Sequence, residues 1–482
     1  MPLDPPQEPQ PEPAGVADDP VPVDPAAPQV EAHLPPGVVR GEETMRAFRA
    51  VLGNTLVANV TSSYLWFALT FWAYLETRSV MATAIIGGGF MLFTAVLGTY
   101  FGTLVDRHRK KQVMVVSSTI TLVSYAGAGG LWVLLGEQRL ADWTSAWFWL
   151  FTVVILVGGV VESLRNITLS TTVTLLVPED GRDKANGLVG TVQGIAFMIT
   201  SVFSGLSVGI IGMGWTLAVA LALTGVTLVH LLPISVPELQ PELEEGAPRF
   251  DVRGAIAAIV VVPGLVALIL FSTFNNLVSG VYIALMDPYG LTLFSVESWG
   301  LVLGVTGLGF VVGGILVAKR GLGANPVRTL LLVNLAVAGL GMTFTIREWA
   351  WLYVVGIFLF MCVIPVAEAA EQTILQRVVP FRTQGRVFGF AQSVELAASP
   401  ISAFLIGPIA EFWLIPYMEG DSGRSTWGWL LGDGEARGIA LVFMLAGLIM
   451  LVTVTLALLS APYRRLSGAY ASAPRQQIEA TT

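Results

Sequence analysis

Charge is what this chain has least of. Only 12% of its 482 residues are Asp, Glu, Lys or Arg, against roughly 25% in soluble domains. Hydrophobic residues make up 54%, and the mean hydropathy is +0.71. A soluble globular protein is excluded, and an all-α polytopic membrane protein is implied. Cysteine is nearly absent: the lone Cys362 lies in an apolar run, which rules out an intramolecular disulfide and a Cys-based metal site. His33, His108 and His230 are too dispersed for a metal cluster. No phosphate-binding loop occurs, so ATP-driven work within this chain is not expected. No His-x-Glu or Ser-His arrangement lies near the membrane face, so the chain does not read as an enzyme. Neither a cofactor, a metal nor a nucleic acid is expected. The net charge of −8 comes largely from acidic tails and loops, and it says little about partners.

Residues 1–43 hold twelve prolines by residue 36 and nine acidic residues by residue 43. They lack the basic and apolar regions of a signal peptide. Such a composition cannot bury a core, so the segment reads as a disordered cytoplasmic tail.

Apolar runs of about 20 residues, enough to cross a bilayer, fall near 47–75, 80–105, 112–135, 145–171, 183–212 and 215–233. Six more fall near 254–286, 296–318, 327–346, 349–375, 383–413 and 436–460. The expected organisation is a six-helix bundle over 44–233, a Pro-rich acidic linker at 234–253, a second bundle over 254–466, and a tail at 467–482. Twelve crossings place both termini on one side. Tails and loops on that side hold twenty Arg and Lys, the opposite loops hold five, and Arg165 lies within a run. Basic residues stay inside, so both termini are expected in the cytoplasm of a plasma-membrane protein.

The turn between the second and third runs reads Gly102-Thr-Leu-Val-Asp106-Arg107-His108-Arg109-Lys110-Lys111. Its pattern resembles the G-x-x-x-D-R-x-G-R-R loop of major facilitator superfamily transporters. Gly102, Asp106, Arg107, Lys110 and Lys111 fit, and Arg109 replaces the second glycine. The resemblance implies twelve transmembrane helices in two pseudo-symmetric six-helix bundles, with this loop as a gate on the cytoplasmic side. A worn copy stands at Gly314-Ile-Leu-Val-Ala318-Lys319-Arg320, and a shift of 202 residues aligns Val177-Pro178 with Val379-Pro380. The second, fifth, eighth and eleventh runs hold twenty glycines against fifteen in the other eight. Small residues permit close helix packing, and in the family those four helices form the seam between the halves. The family's G-P-x-x-G-G antiporter signature is missing from the fifth run.

Ionisable groups inside a bilayer are expensive, which makes each a candidate for function. Glu162 and Arg165 stand three apart on one helix face and can pair. Whether they handle protons or merely lock the helix stays open. Glu368 and Glu371 form a similar pair, which Arg377 or Arg382 could neutralise. Glu395 falls near mid-bilayer, and its repeat partner is the neutral Gln193. These five are the proton-coupling candidates, with Glu395 first. The resemblance implies that the first and seventh helices line a central cavity, so Asn59, Ser62, Tyr64 and Trp66 on the first run, with Asn275 and Asn276 on the seventh, are its expected lining. Within that superfamily the chain looks most like the drug or lipophilic-solute exporters, and this resemblance implies a monomeric secondary active transporter of a small amphipathic or apolar solute, working by alternating access, with proton-coupled efflux by antiport as the expected mode. The alternative is a membrane protein that does not pump, such as a lipid facilitator, scramblase or transporter-like receptor.

Overall fold

Glycine and proline decide where the long apolar runs bend or break. The computed structural model describes residues 34–473 apart from 37, 78–79, 241–250, 433 and 435. Most of both expected tails and the middle of the linker lie outside the described residues. The helices are α1 (Glu42–Thr77), α2 (Val80–Arg107), α3 (Lys110–Leu135), the short α4 (Glu137–Leu140), α5 (Ala146–Leu176) and α6 (Arg182–Leu231). After the linker come α7 (Val252–Val261), α8 (Leu265–Leu293), α9 (Val296–Arg320), α10 (Pro326–Thr343), α11 (Ala350–Val378) and α12 (Phe381–Ile409). The short α13 (Ile415–Glu419) and α14 (Asp421–Leu431) precede α15 (Arg437–Leu459) and α16 (Ala461–Ser472). Ten helices among the described residues are long and apolar enough to cross a membrane.

Gly212, at φ 78° and ψ 168°, bends the 50-residue α6 into two limbs. A side chain at that φ would be strained, so glycine makes the corner. The expected single run at 254–286 is instead two helices, because Pro263 cannot donate a ladder hydrogen bond and Gly264 adopts φ 85° at the start of α8. Beyond Pro408 the ladder of α12 widens into a π turn over Ala410–Leu414. Two tail expectations also change at their inner edges. Leu34 is buried in a cluster with Phe48 and Leu231, and residues 467–472 continue α16.

Three apolar clusters describe how the halves of the chain meet. Tyr64, Trp72, Phe148 and Met213 belong to a core made only of residues before the linker. Tyr282, Tyr289, Tyr353 and Phe443 belong to one made only of residues after it. At the opposite end of the helices, Val105, Leu164, Val317, Ile374 and Val387 share one core that joins both halves. The two halves are therefore merged at the end carrying the α2–α3 turn and separate at the far end. The close pairs across the seam are α2 with α12 and α6 with α9.

Candidate functional site

The closed end is built on small residues spaced four apart. Gly98, Gly102 and Asp106 lie along one face of α2, against Gly385 and Gly389 of α12. A Cβ on Gly102 would overlap the Gly385 carbonyl, and one on Gly389 would overlap the Gly98 carbonyl. A Cβ on Gly187 of α6 would likewise meet the backbone of Ala318 on α9, and one on Gly314 would meet Thr191. At the end of this contact the Asp106 carboxylate accepts from Gly385 N at 2.6 Å, Arg386 N at 3.0 Å and Arg386 Nε at 3.1 Å. Arg386 Nη1 also donates to Asp251, before α7, at 2.5 Å.

Lys110 is not a solvated loop cation. It is buried, donating from Nζ to Glu238 at 2.9 Å and from its backbone N–H to the same carboxylate at 2.6 Å. Its ammonium also sits 5.0 Å from the centre of the Phe381 ring. Lys111 Nζ donates to Leu232 O at 2.8 Å, and Arg107 ends α2. Both ends of the linker are thus pinned to the turn region through Glu238 and Asp251. Sequence reasoning treated that acidic segment only as a spacer. The excess of carboxylates beside a basic turn was the signal it passed over.

The outer glycines behave oppositely. Gly87 of α2 and Gly407 of α12 lie on the same faces as the contacting ones, 11 and 18 residues away from Gly98 and Gly389, close to whole helical turns. A Cβ on either would meet nothing within 4 Å.

Between the two ends lies a cavity of about 330 Å³, walled by α5, α6, α8, α10, α11 and α12. Among the described residues its charged lining is Glu368, Glu371 and Glu395, with no Arg, Lys or His. Glu368 has its exposed surface here although it lies deep in the protein. The Glu371 and Glu395 carboxyls interact directly, with Ser272 beside Glu371. Two carboxyl groups can hydrogen-bond to each other only if one keeps its proton. Toward the closed end the cavity is shut by Asn186, whose Nδ2 donates to Thr373 Oγ1 and Gln376 Oε1, each at 2.9 Å.

Asn275 and Asn276 line this cavity, but Asn59, Ser62, Tyr64 and Trp66 are not among its lining residues. Helix α1 packs behind α5 and α6, which form the wall on that side. Tyr64 is hydrogen-bonded to Ser207, and Trp66 packs on Phe90 with ring centres 5.4 Å apart. Glu162 and Arg165 also lie off the cavity, in a satisfied buried network. Arg165 donates to Glu162 at 2.6 Å, to Asn54 Oδ1 at 2.7 Å and to Ser118. Asn54 in turn donates to Thr227 O at 2.8 Å. Arg377 does not neutralise Glu368 and Glu371; it pairs with Glu179 at 2.9 Å and stacks over Tyr470. Asn334 of α10 and Gln392 of α12 line the cavity too, and sequence reasoning missed both. Each is a polar residue within an apolar helix, which is the signal that would have found them.

Comparison with known proteins places this geometry. The sequence model described as Major Facilitator Superfamily matches residues 51–403. The chain is similar to macrolide efflux protein A of Streptococcus pyogenes, 22% identical over 375 residues, covering 76% of this chain and 89% of that one. It is similar to the enterobactin exporter of Shigella flexneri, 25% identical over 372 residues, covering 76% and 85%. In fold it resembles the human organic anion transporter MFSD10, with a TM-score of 0.63 at 15% identity, covering 88% of this chain and 100% of that one.

Proposed function

Since the chain belongs to the major facilitator superfamily, we propose that it is a proton-coupled exporter of an amphipathic solute, caught open toward the outer side of the membrane. The observation that carries this is the seam: glycine contacts are tight at one end and absent at the other, around an acidic cavity. Such a molecule alternates access when one bundle rocks against the other about a central site. We take α1 and the first limb of α6 as two further crossings, giving twelve in two bundles of six with both termini cytoplasmic. The closed end is then the cytoplasmic gate. Efflux is supported by the relatives named for macrolide efflux and enterobactin export.

The glutamates supply the coupling. The Glu371–Glu395 pair takes up a proton from the side to which the cavity is open and releases it when the cavity opens to the other side. In proteoliposomes, an inside-acid pH gradient should drive accumulation of a labelled macrolide above its outside concentration. Equal levels with and without the gradient would favour a facilitator that does not pump.

Asp106→Asn should loosen the cytoplasmic gate. Hydrogen bonds to a charged acceptor contribute about 1.5–3 kcal/mol each, and the amide places an N–H group where a donor must be met. A bias of roughly 2 kcal/mol toward the opposite state, about thirtyfold, is expected. Transport should fall while thermal unfolding of the purified protein stays near that of the parent. Undiminished transport would remove the gate from the mechanism.

A further inference from the structure

Building on the reading of the cavity as the solute site, we infer that its solute is an organic cation with an apolar body. Among the described residues, every charged side chain lining the cavity is a glutamate, so the cavity has no cationic donor of its own. Glu371 Oε1, Glu395 Oε1 and Asn334 Oδ1 are all buried without a hydrogen-bond partner. Asn334 is fully buried, and its Nδ2 donates to Leu330 O at 2.9 Å. An anionic solute would be repelled by these oxygens, and a neutral one could offer them only an uncharged hydrogen bond, roughly half as strong as one from a cation.

The described lining supplies no counter-charge of its own. Arg165 is spent on Glu162, Arg377 on Glu179, and Arg386 on Asp106 and Asp251. Lys110 is spent on Glu238. A cationic ligand therefore meets acidic side chains that no Arg, Lys or His of the described lining neutralises. The apolar part has a place as well, because Phe271, Phe360 and Phe388 line the same cavity. Aromatic faces attract cations, and more strongly once the charge is desolvated. At about 330 Å³, the space suits a small drug-sized molecule. The three glutamates then have two kinds of occupant, protons and the solute cation, and one displaces the other.

The test compares two probes of matched shape and opposite charge on the purified full-length protein: tetraphenylphosphonium, a permanent cation, and tetraphenylborate, its anionic counterpart. The cation should bind saturably. The Glu371→Gln/Glu395→Gln double variant should weaken it by at least about tenfold, the scale of losing a buried charge partner. An unchanged melting temperature should show that the variant is folded. Should it unfold, the single Glu395→Gln variant and the probe pair on the parent protein still decide the matter. The inference is overturned if the anion binds as tightly as the cation, if the cation does not bind, or if the folded variant binds it like the parent. Absent cation binding beside intact gradient-driven macrolide movement removes this inference alone. Cation binding without any gradient-driven movement removes the exporter reading and leaves this one standing.

Discussion

Glu395→Gln should abolish uphill transport while leaving downhill exchange of solute in place. Glutamine keeps the size and hydrogen-bonding shape of the side chain but cannot take up and release a proton. In the parent, Glu395 meets Glu371 within the cavity, with Glu368 on its wall. Two neighbouring carboxyls titrate as a unit and share their protons. In the Glu395→Gln variant the pair becomes one carboxyl hydrogen-bonded to an amide, and the proton-dependent switch is lost. One pH unit of gradient, spent at one proton per solute, sustains at most about tenfold accumulation. The variant should fall from that level to simple equilibration. Proteoliposome flux with and without a gradient reads the difference, and normal uphill transport by Glu395→Gln would move the coupling to Glu368 or Glu371.

Arg165→Ala carries the largest expected cost to folding. Arg165 is fully buried and ties Glu162 of its own helix to Asn54 of α1 and Ser118 of α3. Removing it strands the Glu162 carboxylate in the interior. Breaking a buried pair in this way costs about 3–5 kcal/mol, whereas replacing both partners by apolar groups is often neutral. Arg165→Ala should therefore lower the yield and melting temperature of purified protein sharply. The Glu162→Leu/Arg165→Met pair should recover most of the loss. Lysine should not rescue, because three partners are met by the planar fork of the guanidinium. A normal melting temperature for Arg165→Ala would show that the network is dispensable. Recovery of stability without recovery of transport in the double variant would instead assign Arg165 a part in the cycle.

Much of the fold was legible because membrane helices announce themselves by composition. Apolar runs of the right length define an all-helical polytopic protein, and the concentration of glycine in four runs points to close packing. The break between α7 and α8 was equally visible as Pro263-Gly264, yet a window of apolar residues averages across it. Asn59 and Trp66 were assigned to the cavity by analogy with the first helix of the family. Whether α1 meets the cavity at all depends on how it packs against α5 and α6, and the polar residues spread around this helix have no periodicity that reports it. The partners of charged groups were also hidden. Lys110 finds Glu238 across 128 positions and Arg386 finds Asp106 across 280, separations at which sequence spacing carries no geometric information. The meeting of Glu371 with Glu395 is of the same kind, since it depends on how α11 and α12 cross.

The central claim is that a proton on the cavity glutamates decides which end of the seam is closed. It is tested most directly by spin labels at positions 87 and 407 in a Cys362→Ser background, with the distance between them measured by pulsed electron resonance. Both sites open onto empty space, so a label fits without disturbing the packing. Lowering the pH from about 8 to about 5, across the range in which buried carboxyls titrate, should redistribute the distances between a separated and an approached population. Glu395→Gln should hold one distribution at both pH values. A distance distribution that ignores pH in the parent, or that responds equally in Glu395→Gln, would contradict the account.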